Sequence, residues 1–76
     1  MKVIFQNDGK IGLDFENGLV RKNLTGKAAG GLLREYGISI DEFEYGVSDA
    51  EKNGHNVLHF GINRTFIFSE RKNLDG

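Results

Sequence analysis

The densest group of chemically capable side chains is a run of five carboxylates between residues 41 and 51. Its members are Asp41, Glu42, Glu44, Asp49 and Glu51, and Lys52 alone opposes them. Such a group can bind a basic partner, or it can form a solvated helix face that keeps the protein soluble. Its spacing singles out no pair for acid–base catalysis, because every member suits an exposed surface position equally well.

A predicted helix carries this run. Ser39 and Glu42 fit a capping box, and Gly54 is typical of a helix end. Apolar residues recur at helical spacing at Ile40, Phe43, Val47 and Ala50. Asp49 and Glu51 lie near the helix end whose dipole disfavours carboxylates. This placement suggests an acidic surface for a basic partner, either a protein groove or a nucleic-acid-binding protein whose substrate the helix imitates. The pattern alone favours the other interpretation, a solvated face that keeps the protein soluble.

Basic residues near the start of the chain indicate an alternative, nucleic-acid binding. Lys2, Lys10, Arg21 and Lys22 could contact phosphates if the first strands lay in a major groove. The first 37 residues contain six basic and four acidic side chains, a small excess. A helix-turn-helix is disfavoured, because a recognition helix that is acidic along its length would be repelled by phosphates.

Other chemistries lack the residues that they need. Without Cys, the chain has no disulfide, thiolate metal site or cysteine nucleophile. His55 and His59 would lie about 13 Å apart on a strand, too far for one metal ion. Gly26-Lys27 resembles the end of a phosphate loop, but Arg21 replaces its first Gly and Ala28 its Ser/Thr. We therefore expect no enzymatic activity, no cofactor and no metal ion.

Length and composition predict one small domain over residues 1–70 and a polar tail over residues 71–76. The formal net charge is -1, so overall charge indicates binding to neither nucleic acid nor an anionic membrane.

No apolar run approaches the ~20 residues of a membrane span, and no signal peptide opens the chain, so we expect a cytoplasmic protein without membrane association. Phage and mobile-element genes are a plausible source of so small a chain.

A helix over residues 24–36 is the element on which the strands are expected to pack. Its apolar positions are Ala28, Ala29, Leu32, Leu33 and Tyr36. Thr25 suits its N-cap and Gly37 its end. Gly30 and Gly31 each cost about 1 kcal/mol against Ala in a helix interior. Either another element approaches the backbone there, or the helix is weak and held by packing; we favour the second interpretation.

Five strands complete the prediction. They are expected at residues 2–6, 11–15, 19–22, 56–60 and 65–69. The fold class is therefore α+β: a three-stranded antiparallel meander, two helices and a C-terminal β-hairpin (β-β-β-α-α-β-β), arranged in two layers with both helices on one face of the sheet.

The register of the last two strands depends on the loop between them. An odd loop length would place Leu58 and Phe60 on one face with Phe66 and Phe68, and we favour it because it gathers the aromatic rings. Because these strands are apolar on both faces, they could also pair across a homodimer. The expected core is Val3, Phe5, Ile11, Leu13, Phe15, Ala29, Leu32, Leu33, Tyr36, Phe43, Val47, Leu58, Phe60, Phe66 and Phe68.

These patterns favour a non-enzymatic protein-binding module of the inhibitor or adaptor type. Its expected partner is another protein, bound through the acidic helix. The alternative hypothesis is a nucleic-acid-binding module that uses the basic meander.

Overall fold

Five strands and two helices follow the predicted order β-β-β-α-α-β-β in the computed structural model of the chain, which describes residues 1–73. The elements are β1 (Lys2–Phe5), β2 (Ile11–Asp14), β3 (Val20–Leu24), α1 (Gly26–Tyr36), α2 (Ile40–Asn53), β4 (Val57–Phe60) and β5 (Phe66–Glu70). The predicted α+β class is confirmed. Of the predicted polar tail, residues 74–76 lie outside the described residues.

The first strand of the chain lies at the centre of one antiparallel sheet with the order β3-β2-β1-β4-β5. β1 pairs with β2 on one side and with β4 on the other, so that Val3 lies opposite both Leu13 and Leu58. All three side chains are fully buried. The central strand therefore joins the N-terminal meander to the C-terminal hairpin through both backbone pairing and core packing.

Both helices cover the same face of the sheet. α1 packs on β2 and β3, whereas α2 packs on β4 and β5. The link between the helices contributes to the core, since Ile38 is buried and its N–H donates to the Leu33 carbonyl at 2.9 Å. The buried apolar residues that the predicted core omitted are Met1, Ile38, Ala50 and Val57.

The predicted helix caps are present. The hydroxyls of Thr25 and Ser39 each accept a backbone N–H from three residues further on, at 3.1 and 3.2 Å. Gly37 and Gly54 end the two helices in the left-handed conformation, with φ of 101° and 68°. The capping box is only half formed, because the Glu42 carboxylate reaches the backbone of β5 instead.

A β-bulge in the C-terminal hairpin overturns one core assignment. His59 lies opposite Phe68 and Phe60 lies opposite Phe66, so Ile67 is the extra residue between the two pairs. Phe60 and Phe66 share the helix-covered face as predicted, with ring centroids 5.8 Å apart. Phe68 points to the other face, where it is 48% exposed and stacks on His59. The prediction that Phe68 is a core residue was therefore wrong.

Every other residue of the predicted core is either buried or packed against the buried cluster. Ile40 differs from its expected place on the apolar stripe of α2, since its side chain is 65% exposed. Ile38, two residues earlier, occupies the core instead. The stripe of α2 that faces the sheet therefore begins at Phe43, one helical turn later than the sequence pattern predicts.

Three helical glycines have different surroundings. A Cβ atom on Gly46 of α2 would lie 2.9 Å from the Phe66 ring and 3.2 Å from a Leu58 methyl carbon. Gly46 thus allows α2 to lie close to β4 and β5. Cβ atoms on Gly30 and Gly31 of α1 would meet nothing within 4 Å, so neither glycine is required by a close approach among the described residues. This agrees with a helix that is held by packing.

The same substitution should therefore have opposite effects in the two helices. Gly46→Ala should lower the free energy of unfolding by about 1–3 kcal/mol, because its methyl group overpacks the contact with Phe66. Gly31→Ala should raise it by about 0.5–1 kcal/mol through better helix propensity. Urea unfolding followed by circular dichroism measures both. Equal stabilisation by the two substitutions would show that α2 is not closely packed at Gly46.

Candidate functional site

The outer face of α2 is the strongest candidate site. We define it as the exposed residues Asp41, Glu44, Tyr45, Ser48 and Glu51; Lys52, which is also exposed and follows Ser48 by four positions, adds one cation to the same side. Neighbouring members of this set are mostly three or four positions apart, which is the spacing of one helix side. This side faces away from Gly46 and the sheet. Three of the five carboxylates predicted as partner contacts are thus brought together on one solvent-facing surface.

The other two carboxylates of the predicted set face the sheet. The Glu42 Oε2 atom accepts a hydrogen bond from the Phe66 backbone N–H at 2.8 Å. The Asp49 Oδ2 atom accepts one from the Ser69 hydroxyl at 2.6 Å. Both carboxylates are partly buried and fasten α2 to β5. They are consequently placed to support the fold, and they leave the outer face to Asp41, Glu44 and Glu51.

Asp49 belongs to a hydrogen-bonded chain that also includes His55. The Ser69 hydroxyl lies 2.7 Å from His55 Nδ1. Because this hydroxyl donates its only proton to Asp49, the His55 Nδ1–H must be the donor in the second bond. The serine thus lies between the acid and the histidine, whereas a nucleophilic triad places the histidine in the middle. This arrangement joins α2, β5 and the turn before β4.

The carboxylates of the outer face form no ion pair with another residue in the described part of the chain. Among residues 1–73, no salt bridge involves Asp41, Glu44 or Glu51. Asp41 lies in the first turn of α2, where the helix dipole favours it. Glu51 lies near the opposite end, where the dipole does not. The charge of this face is therefore available to an external group.

Tyr45 lies on the side of the outer face that borders β5 and was missed in the sequence analysis. Its side chain is 69% exposed, and its ring packs edge-on against Phe66 with centroids 5.7 Å apart. The contact supports one edge of the ring while leaving much of its surface open. The signal in the sequence is an aromatic residue outside the apolar stripe of an amphipathic helix. Tyrosine is enriched in protein interfaces because it combines apolar area with a polar end.

The basic residues of the alternative hypothesis do not form one surface. Arg21 and Lys22 are both exposed on the edge strand β3. Lys2 is on the central strand, where its Nζ atom lies 3.7 Å from the Glu16 carboxylate. Lys10 lies in the turn between β1 and β2. Because successive side chains of a strand point to opposite faces, Arg21 and Lys22 project from different sides of β3, and the structure gathers none of the four residues into one basic surface.

The two histidines that were considered as metal ligands make other contacts. His55 bonds to Ser69, and His59 stacks on Phe68 across the sheet. Within the described part of the chain, no three His, Cys, Asp or Glu residues form a group that could hold a metal ion. None of the helices described is both long and apolar enough to cross a membrane.

The predicted homodimer contact involves an edge of the sheet. β5 is the outermost strand on its side and exposes Ile67 and Phe68. The bulge at Ile67 interrupts the regular ladder of this strand, which is one way in which edge strands are protected from pairing. Pairing of two copies through the C-terminal strands stays a prediction.

Comparison of the chain with protein-family models, with curated proteins and with solved structures gives no match. A function can therefore be argued only from the residues and their arrangement.

The chain of hydrogen bonds through Ser69 can be tested by a matched pair of substitutions. Ser69→Ala should lower the free energy of unfolding by about 1–3 kcal/mol, because it leaves Asp49 and His55 without their shared partner in a partly buried site. Ser48→Ala, on the exposed outer face, should change it by less than about 0.5 kcal/mol. Chemical denaturation of both variants measures the difference. Equal stabilities would contradict a fastening role for Ser69.

Proposed function

We propose that this protein is a non-enzymatic protein-binding module of the inhibitor or adaptor type, and that it recognises a basic protein surface through the outer face of α2. One observation supports the proposal most strongly. Three carboxylates and a tyrosine are exposed along one side of α2, and the carboxylates form no salt bridge among the described residues.

The chemistry of this face suits a protein partner. Exposed carboxylates steer a basic surface toward the helix and align it, which mainly raises the association rate. An aromatic side chain at the centre of a contact can supply much of the binding energy once water is excluded from it. Tyr45 has the exposure for that role, and Asp41 and Glu44 lie within one helical turn of it.

Nucleic-acid binding is the second candidate function, because the chain offers few exposed basic side chains in the predicted region. Arg21 and Lys22 are exposed but point to opposite faces of β3, while Glu16 lies beside Lys2. Affinity for a phosphate backbone grows with the number of charges neutralised, so two exposed cations support only weak binding. The alternative is retained as an outcome of the binding experiment.

A matched pair of charge reversals tests the proposed surface. Glu44→Lys should abolish or strongly weaken partner capture, because it introduces repulsion at the centre of the acidic face. Glu35→Lys makes the same change in net charge at an exposed position of α1 and should leave capture unchanged. The assay is affinity capture from a lysate of the native cells, eluted by a salt gradient, with nuclease added to half of the sample. Quantitative mass spectrometry compares each variant with the unmodified protein.

Three results are distinguishable in this assay. A protein that survives nuclease, elutes with salt and is lost only with Glu44→Lys supports the proposal. Equal capture by both reversals would contradict it. Recovery of nucleic acid alone, lost when Arg21 and Lys22 are changed to Ala, would replace the proposal with the alternative.

Truncation of the aromatic residue is a second test on the same surface. Tyr45→Ala should weaken binding of the captured partner by about 2 kcal/mol or more, the range of an interface hot spot. The fold should persist, because the ring is mostly exposed. Calorimetric titration gives the affinity, and circular dichroism reports on folding. Unchanged affinity would remove Tyr45 from the interface.

A further inference from the structure

A groove of about 470 Å³ lies between α1 and α2, beside the outer face of α2. Its accessible apolar lining comes from the partly buried Phe43 and the exposed Ile40, whereas Leu33 and Ile38, which also line it, are core residues that are only 2% and 1% exposed. Gly30 also lines the groove, and a Cβ atom there would meet nothing within 4 Å, so the space above the α1 backbone is open. The volume falls in the range of pockets that enclose ligands, about 300–1,000 Å³.

Opposite charges line the two sides of this groove. Lys27 and Arg34 come from α1, and Glu44 comes from α2. No salt bridge within residues 1–73 involves any of the three, so no ion pair closes the groove. An occupant that presented an acidic group to α1 and a basic group to α2 would complement both sides at once.

Ile40 adds an apolar contact beside the same space. It lines the groove and is 65% exposed, although it occupies a position at which the sequence pattern predicted burial. Burying an exposed isoleucine together with the apolar groove surface would favour binding through the hydrophobic effect. Glu44 belongs both to the groove and to the outer face, so an occupant of the groove would be continuous with a partner bound there.

We infer that the groove binds a peptide segment of the partner protein, which inserts a leucine-sized or aromatic side chain between the helices. The segment places a carboxylate against Lys27 and Arg34 and a basic side chain against Glu44. This inference rests on the proposed function and specifies it, since it defines the order acidic, apolar, basic across the segment that the partner must carry. The glycine at position 30 then serves to keep the groove open.

A displayed library of random 16-residue peptides is the probe for this inference. Peptides selected on the unmodified protein should share an apolar residue with an acidic residue on one side and a basic residue on the other. Gly30→Leu should reduce their affinity at least about tenfold, because its side chain takes the place of the inserted one. Ala28→Leu adds the same side chain to α1 outside the groove and should leave the affinity unchanged.

A charge exchange tests the proposed orientation of the segment. Selection on a Lys27→Glu, Arg34→Glu variant should enrich peptides in which a basic residue replaces the acidic one. Thermal unfolding by circular dichroism checks that each variant is folded. Isoleucine at position 40 provides a second probe, since Ile40→Asp should weaken the same peptides without filling the groove.

The outcomes separate this inference from the proposed function. Peptides that are insensitive to Gly30→Leu but lost with Tyr45→Ala would overturn the groove and leave the outer face as the binding surface. A failure to enrich any peptide would also overturn it, while capture by the outer face would still be decided by Tyr45→Ala, because Tyr45 does not line the groove. Concentration-dependent dimerisation that Gly30→Leu abolishes, seen by analytical ultracentrifugation, would assign the groove to a second copy and overturn the peptide segment.

Discussion

The contact between α2 and the C-terminal hairpin determines which residues the protein presents to its surroundings. Gly46 brings the helix close to Leu58 and Phe66. Glu42, one turn before this contact, bonds to the Phe66 N–H, and Asp49, one turn after it, bonds to Ser69. Close packing at the centre and a hydrogen bond on each side together set the rotation of the helix about its axis. The outer face follows from this rotation.

The same contact divides the acidic residues of α2 into two groups with different roles. Glu42 and Asp49 are partly buried and bonded to β5, so their charges contribute to the position of the helix. Asp41, Glu44 and Glu51 contribute to no such contact, and changing them should alter recognition more than stability.

The separation of the two helices also follows from how they pack on the sheet. Each helix lies over its own pair of strands, and Ile38 fills the core beneath the link between them. The groove is therefore a consequence of how α1 and α2 are positioned on the sheet. Its opposite charges come from the sides of the two helices that face each other, so a partner can contact both helices at once.

Local signals in the sequence were sufficient to predict the elements but insufficient to predict their contacts. Thr25, Ser39, Gly37 and Gly54 act within one or two turns, so the helix ends could be predicted from neighbouring residues alone. Gly46 could not be distinguished from Gly30 or Gly31, because only a tertiary neighbour makes one glycine necessary.

The side chains of the candidate site likewise depend on contacts between residues that are distant in the sequence, which local patterns do not predict. The bulge at Ile67 moves Phe68 to the opposite face of the sheet through a shift of one residue. The separate roles of Glu42 and Asp49 depend on Phe66 and Ser69, more than 15 residues away. The acidic run itself could be predicted, but its division between fold and surface could not.

Photo-cross-linking in the native cells tests the central claim most directly. Tyr45 would be replaced by the photoreactive analogue p-benzoylphenylalanine, and Val20, an exposed residue of β3 at the far edge of the sheet, would carry the same analogue as the control. We predict a defined covalent adduct with another protein from position 45, its loss when Glu44→Lys is added, and no such adduct from position 20. Adducts that form from position 20 and not from position 45 would contradict the assignment of the outer face of α2 as the binding surface.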